Sequence, residues 1–456
     1  MKNNKNSFRL IYLIFLVLLA SCGGGSSSDS SNILGNSATS AQADTSISTP
    51  PNTYMSIEQY VQQANTVVGS GVGATISPAD LRGHYNIPSN LTGVGQKIVI
   101  VDAAGYLKPD QIQADLNNFS SYYDLPNMPY CTGSNDPCLT IIDNSSGGTT
   151  ISPAARSGSG DWSMEISLDL QYAHAIAPNA SITLILAPNA SSLYGANGVQ
   201  SAINQLNVTA VSMSFGADDA QYQHNSYDSI FSTAVSSKGI AFFASTGDAG
   251  IKYTNLASYP ASSGYVTAVG GTQITSLSTI SSQNETAWTI YAGGATGGGY
   301  TQYLSTPNYQ TTFFQTVGNI VSSLLSSNST KRSVPDVSIN GSTSSMVGIV
   351  VGGAWYAIAG TSESSPIWAG ISALIGEYLN SKGSSLQAAI KAAGSFNNLI
   401  YTKATYTVAN PSFVDIITGN NNNTGASCPI ICYTQVGYDD VTGIGAPNVG
   451  NFISNF

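Results

Sequence analysis

Ala359-Gly360-Thr361-Ser362-Glu363-Ser364-Ser365-Pro366 is the stretch on which the reading of this chain turns. Before it lies a β-rich apolar run, residues 346–351 and then Tyr356-Ala357-Ile358. After it comes Ile367-Trp368-Ala369-Gly370-Ile371-Ser372-Ala373-Leu374-Ile375, long and apolar enough for a buried helix. The octapeptide therefore reads as a strand end followed by a helix start, with Pro366 in the first helical turn, where no backbone donor is needed. A serine at a helix N-terminus offers a hydroxyl beside amide groups that attract negative charge. A nucleophile that attacks a carbonyl needs both. A plain serine N-cap produces the same local pattern, so the rest of the chain has to decide.

Working outward, residues 97–101 form a mostly apolar strand that ends at Asp102. The pattern predicts helices over 109–123, 161–176, 194–206 and 227–236, and strands over 182–186, 210–214 and 240–244. Alternation of this kind predicts an α/β fold with a central parallel sheet and helices on both faces. Active sites of such sheets lie beyond the carboxyl ends of the strands. Asp102, Ser214, Asp248 and Ser362 all fall near such ends.

The chain has 456 residues, of which 42% are apolar and only 8% charged, with a net charge of −10. A large core is affordable, surface polarity must come mostly from uncharged side chains, and nucleic acid is excluded for want of a basic patch. Few ion pairs means few that acid could break, which suits low pH.

Lys2, Lys5 and Arg9 precede an apolar stretch at residues 10–20, too short for a comfortable membrane span, and Leu19-Ala20-Ser21-Cys22 resembles a bacterial lipobox. This predicts a lipoprotein signal peptide at 1–21, a lipid on Cys22, and a Ser-rich disordered tether over 22–53. A short N-terminal segment follows at 54–75, with one amphipathic helix over 55–68, and the main domain runs from 76 to 456. The expected localisation is export with lipid anchoring to a bacterial membrane. The outer membrane is favoured because Gly23 follows the cysteine, and membrane contact is expected only through Cys22. The remaining cysteines make two close pairs, Cys131/Cys138 and Cys428/Cys432, read as two local disulfides in preference to a zinc site.

Glu165 and Asp169 are four residues apart on a predicted helix, so their carboxyls share one face. Like charges so placed repel, and one should hold its proton to higher pH than usual. Asp248 stands at the tip of a Gly-flanked turn after a strand. With Ser362 these acids suggest a serine enzyme that uses carboxyls where others use histidine. His84, His174 and His224 are the only histidines. A Ser-His-Asp triad could draw on Asp102 and His174, with poor spacing for the task.

In this order, Glu165-Ile166-Ser167-Leu168-Asp169, Ser212-Met213-Ser214-Phe215-Gly216, Ser245-Thr246-Gly247-Asp248, Val334-Pro335-Asp336 and Gly360-Thr361-Ser362 resemble the sedolisins, serine-carboxyl peptidases of subtilisin-like fold. The resemblance implies that Ser362 is the nucleophile, Glu165 the general base, Asp169 its orienting acid and Asp248 the donor to the oxyanion. It implies polypeptide substrates, a monomer, and activity at about pH 3 to 5. It also implies one structural Ca²⁺ held by the Asp415 and Asp439 carboxylates and the carbonyls of Ile416, Gln435 and Gly437, an all-oxygen set. The chain departs from the family at Phe215, Glu363 and Gln435, and leaves little room for the long propeptide that members carry. The rival readings are a non-enzymatic surface lipoprotein on a peptidase scaffold and a subtilisin-type enzyme with a histidine triad.

Overall fold

The computed structural model describes residues 53–62, 69–133, 137–144, 161–251, 257–290, 294–316, 330–406, 409–422 and 430–456. The signal peptide, Cys22, the tether up to residue 52 and Cys428 lie outside the described residues. The elements that matter for the site are, in chain order, β1 (Thr53–Ser56), α1 (Ile57–Gln62), β2 (Lys97–Ala103), α2 (Pro109–Tyr122), β3 (Leu139–Asp143), α3 (Ser163–Ile176), β4 (Ser181–Ala187), β5 (Ala210–Met213), α4 (Gln221–Lys238), β6 (Ala241–Ser245), β7 (Thr267–Ile274), β8 (Glu285–Ala287), β9 (Val337–Asn340), β10 (Val347–Val351), β11 (Ala354–Ala359) and α5 (Thr361–Ser381).

Ile98, Val99, Ile100 and Val101 are all fully buried, as a strand covered on both faces requires. That run is β2, which lies parallel between β4 and β5, with Ile98 opposite both Ile182 and Ala210. The sheet order is β8-β7-β6-β5-β2-β4-β3, with β9 parallel alongside β7. Only β8 runs antiparallel to its neighbour. The α/β class expected from the sequence holds. Because β2, β5 and β6 run the same way in register, Asp102, Ser214 and the turn carrying Asp248 emerge at one edge.

A second, antiparallel sheet has the order β1-β11-β10. Here the predicted helix over 55–68 is corrected. Residues 53–56 pair with the exposed edge of β11, and the helix starts only at Ile57. The apolar spacing of Ile57, Tyr60 and Val61 suits a helix locally, but an open strand edge offers residues 53–56 backbone partners that an isolated helix end lacks. The strand begins at Thr53, one residue inside the predicted tether.

The helix predicted over 194–206 shrinks to Val199–Ile203, since Gly198 adopts φ −119°, ψ −109° and breaks it. The one over 227–236 lengthens to α4, where the Gln223 side chain accepts a hydrogen bond from the Ala220 amide at 2.8 Å and starts the helix early. Cys131 and Cys138 form one of the two expected disulfides. Cys432 is also disulfide-bonded, and its expected partner lies outside the described residues.

Candidate active site

Gly360 joins β11 to α5 with φ +145°, a backbone conformation that an L side chain rarely adopts. Thr361 is then the first helical residue and Ser362 the second. Pro366 is therefore not in the first turn, as the octapeptide suggested, but one turn further on. Its missing N–H leaves the Ser362 carbonyl without a helical donor. The Ser214 hydroxyl, at the end of β5, supplies one at 3.1 Å. The Ser362 side chain is fully buried, and its Oγ makes no close hydrogen bond.

The helix α3 is fixed at its start by Asp161, whose Oδ1 accepts from the Ser163 amide at 3.0 Å and the Ser163 hydroxyl at 2.6 Å. Nearly every residue of α3 is buried, Glu165 and Asp169 included. It packs along α5 through Gly370, where a Cβ would come within 2.7 Å of the Ile176 Cβ. This close approach brings Glu165 beside Ser362, whose hydroxyl favours the charged carboxylate. Burial and the neighbouring Asp102 nonetheless hold Glu165 well above the ordinary carboxyl range. Asp169 is pushed up by burial, by Asp102 and by Glu165.

The Ser214 hydroxyl also lies 2.8 Å from Asp169 Oδ1. It has one hydrogen. If that hydrogen serves the Ser362 carbonyl, the contact with Asp169 is made by a proton on Asp169. The raised affinity of Asp169 for its proton agrees with this arrangement.

Asp248 follows Gly247, which adopts φ +95°. Its Oδ1 accepts from the Thr361 amide at 2.8 Å and the Thr361 hydroxyl at 2.9 Å, so the start of α5 anchors it. Its Oδ2 is buried and has no hydrogen-bond partner. Burial pushes Asp248 up to about 7, against the Thr361 donors that favour its charged form. Below that pH, one oxygen is anchored and the other can carry a proton to give away. The loop is pinned from its far side by Ala295, whose amide donates to the Asp248 carbonyl at 3.0 Å, and by the Gly297 amide, which donates to the Gly247 carbonyl at 2.7 Å.

All four predicted residues thus gather at the carboxyl edge of the sheet. A fifth, Asp102, had no role assigned to it outside the histidine triad. It is fully buried at the end of β2, both its oxygens lack hydrogen-bond partners, and burial pushes it up to about 8. Its position at a strand end was the signal for it, since an apolar strand that closes on an acid is unusual.

The histidine triad is not assembled. His174 faces away from the site, with its Nε2 2.8 Å from the Pro126 carbonyl, and burial lowers it to about 4. His84 pairs with Glu285 at 3.2 Å. His224 lies between Asp219 and Asp228, at 2.9 Å from each.

Four of the five residues implied as calcium ligands are joined in pairs, through backbone N–H groups. Asp415 Oδ2 accepts from the Gly437 amide at 2.6 Å, and Asp439 Oδ2 accepts from the Gln435 amide at 2.9 Å. Both acids are pushed up to about 7, mainly by burial. Asp415 Oδ1 is buried without a partner. A buried Asp439 and a half-buried Asp415, close enough for the charge of Asp415 to raise Asp439, fit a divalent cation. Among the described residues no cluster of three or more His, Cys, Asp or Glu has a metal-holding arrangement, so the ion would depend on backbone carbonyls for the rest of its shell.

Comparison with known proteins agrees with this geometry. The model of the subtilase family matches residues 147–420, which include Ser362 and all three acids of the cluster predicted from the sequence. This chain belongs to the subtilase family. Within it, the subtilase described here is of the sedolisin type. It is 27% identical over 388 residues to kumamolisin of Bacillus sp. (strain MN-32), covering 83% of this chain and 63% of that one. It is 28% identical over 388 residues to sedolisin of Pseudomonas sp. (strain 101), covering 80% and 59%. It is 29% identical over 310 residues to tripeptidyl-peptidase 1 of Dictyostelium discoideum, covering 64% and 46%. The chain spans about 60% of the length of the first two relatives. A solved structure of the Pseudomonas sedolisin, a serine-carboxyl proteinase complexed with two molecules of pseudo-iodotyrostatin, superposes with a TM-score of 0.61 at 24% identity, covering 83% of this subtilase and 96% of that chain. That likeness establishes the shared fold.

Proposed function

We propose that this subtilase is a serine-carboxyl peptidase that hydrolyses polypeptides in acid through an acyl-enzyme on Ser362. One observation carries the reading: a buried serine hydroxyl at the start of α5 faces Glu165, with Asp169 and Asp248 beside it and no imidazole in reach. Glu165 takes the proton from Ser362 Oγ as that oxygen attacks the substrate carbonyl carbon. Asp248, protonated, donates from Oδ2 to the developing oxyanion. Glu165 then returns its proton to the amide nitrogen, the C–N bond breaks and the amine leaves. Water repeats the sequence on the acyl-enzyme, restoring Ser362. Asp169 holds a proton and keeps Glu165 oriented.

The base must be charged while the oxyanion donor must be neutral. Activity therefore rises as Glu165 ionises and falls through about pH 7 as Asp248 loses its proton. Because burial raises Glu165, the optimum is expected in the upper part of the acid range rather than near an ordinary glutamate's pKa. The same proposal includes one structural Ca²⁺ at Asp415, Ile416, Gln435, Gly437 and Asp439, export, anchoring through a lipid on Cys22, and a monomeric state. Digestion of a denatured protein at acid and neutral pH, by wild type and by Ser362→Ala, tests the core of it. Wild type should degrade the substrate faster in acid than at neutral pH and the variant at neither pH. Equal digestion by both proteins would end the proposal.

A further inference from the structure

Protein interiors leave few voids larger than a water molecule, so a cavity of about 1160 Å³ in this chain asks for an occupant. One wall is a run of rings carried by the helices Asn308–Thr316 and Phe396–Lys403 and by the turn after the second. The Tyr309 and Tyr401 ring centroids lie 5.0 Å apart, Phe313 meets Tyr401 edge-on at 5.3 Å, and Tyr406 follows at 5.9 Å from Phe313. All three phenol tips are held by the protein. Tyr309 donates to the Gly264 carbonyl at 3.2 Å, Tyr401 to Asp336 Oδ1 at 2.8 Å and Tyr406 to the Ile444 carbonyl at 2.5 Å. The cavity therefore receives rings rather than hydroxyls. Asn397 donates to the Tyr309 hydroxyl at 3.2 Å and accepts from the Thr267 hydroxyl at 2.6 Å. That ties the ring wall to the amino end of β7, whereas Ser362 lies at the carboxyl edge of the sheet.

The charge of the cavity limits what can enter it. Asp415 is the only acid among the described lining residues, and none of them is Lys, Arg or His. Lys403 turns its Nζ to the Asn455 carbonyl at 2.5 Å. Arg332 lies over the Tyr309 ring at 5.8 Å, but it is fully buried and paired with Asp336 at 2.6 Å. A carboxylate, phosphate or sulfonate would enter without a free countercharge. An uncharged ring would gain the offset and edge-on contacts that aromatic pairs prefer, against walls that hold water poorly. Ile417 and Val436, which also line the cavity, are 43% and 54% exposed, so its mouth is apolar too.

Two further lining residues are Asp415 and Gly437, joined by the Gly437 amide at 2.6 Å from Asp415 Oδ2. Both belong to the set proposed for calcium. A molecule lodged against them braces the two segments that would have to hold the ion.

We propose that this cavity binds an uncharged aromatic molecule, and that its occupant tightens the calcium site with which it shares Asp415 and Gly437. By linkage calcium tightens the occupant by the same factor, about 5- to 150-fold for couplings of ordinary size. The coupling rests on the calcium set of the proposed function, and the cavity does not.

Two probes that differ by one charge test this on the full chain. N-phenyl-1-naphthylamine is neutral, and 8-anilinonaphthalene-1-sulfonate carries the same rings with a sulfonate. Both brighten in apolar surroundings. Titrated into metal-stripped protein at pH 7.5, the neutral probe should saturate at one per chain with a Kd of about 10–200 µM. The sulfonate should bind about tenfold more weakly or worse. Thr312 lines the cavity from an exposed position on its helix. Thr312→Trp should obstruct the cavity and weaken the neutral probe by about tenfold or more, and Thr312→Ser should not. Phe313→Leu keeps the apolar bulk but loses a ring, and should weaken it by about two- to tenfold. Ser362→Ala should bind like wild type. Calcium chloride should tighten the neutral probe by about fivefold or more in wild type and not in Asp439→Asn. Calcium affinity, read by competition with a chelating dye, should rise by the same factor when the probe is added. No saturable binding, binding that Thr312→Trp and Phe313→Leu both leave unchanged, or a sulfonate bound as tightly as the amine would overturn the cavity assignment. A probe affinity that bound calcium does not change would overturn the coupling. If the dye shows no calcium on the protein, the calcium set falls and takes the coupling with it, while Thr312→Trp still decides the cavity.

Discussion

Ser214 carries one hydrogen and stands between two groups that each want it, the Ser362 carbonyl and Asp169 Oδ1. That single shortage explains why Pro366 is tolerated one turn after the nucleophile and why a proton belongs on Asp169. It also assigns different duties to the three acids. Glu165→Gln removes a proton acceptor and should lower kcat by about 10² to 10⁴ with the fold intact. Asp248→Ala removes an oxyanion donor and should lower kcat by about 10² to 10³, with little change in KM. Asp248→Asn is the sharper test. An amide donates at every pH, so this variant should keep more activity than the alanine and lose the fall near pH 7 that Asp248 imposes on wild type. A pH–rate profile of both proteins checks it. A wild-type optimum above pH 8 would contradict a protonated Asp248 at work.

Between elements, the decisive contact is that of α3 with α5. Gly370 lets the two helices approach until a Cβ would sit 2.7 Å from Ile176 Cβ, an atom next to the backbone that cannot swing away. Alanine is the better helix former by about 1 kcal/mol, but here the clash should win, since overpacking costs about 1–3 kcal/mol. Gly370→Ala should lower the melting temperature and, by spreading the helices, separate Glu165 from Ser362 and depress kcat more than KM. A variant as active and as stable as wild type would show that the approach is not needed. This contact was invisible in the sequence, where Gly370 is one small residue in an apolar helix. The carboxyl pair was legible because its period is local, four residues on one helix. The strands β2, β5 and β6 were legible because strands buried on both faces are written as apolar runs. The strand β1 was not, because pairing between residues 53–56 and 356–359 is set by an open edge some 300 positions away, while local spacing spoke for a helix. Asp102 was seen only as a strand end, since its meaning lies in which acids the fold sets beside it.

Across the whole molecule, acids outnumber their partners in the interior. Burial pushes Asp102 and Asp440 up to about 8, and Asp248, Asp415 and Asp439 up to about 7. A carboxyl whose pKa is higher folded than unfolded favours the fold below its unfolded pKa, near 3.8, and that contribution is lost as pH climbs through the folded value. These five therefore weaken the fold between about pH 4 and 8. His224, raised to about 9 between its two aspartates, acts in the same sense at a higher pH. His174, lowered to about 4, opposes them between about pH 4 and its ordinary 6.5, where the unfolded chain takes up a proton that the buried ring resists. Metal-stripped protein should thus melt at a higher temperature at pH 4.5 than at pH 7.5. Calcium changes the balance selectively, because it rewards the charged forms of Asp415 and Asp439 that burial penalises. Added CaCl₂ should raise the melting temperature strongly at pH 7.5, where the cation has two carboxylates to hold, and little at pH 4.5, where both are protonated and calcium must displace protons to bind. Asp439→Asn should abolish the calcium response at pH 7.5 while making the stripped protein less sensitive to pH. Thermal melts of both proteins at the two pH values, with and without calcium, decide it. A calcium response as large in acid as at neutrality would mean that the ion sits elsewhere.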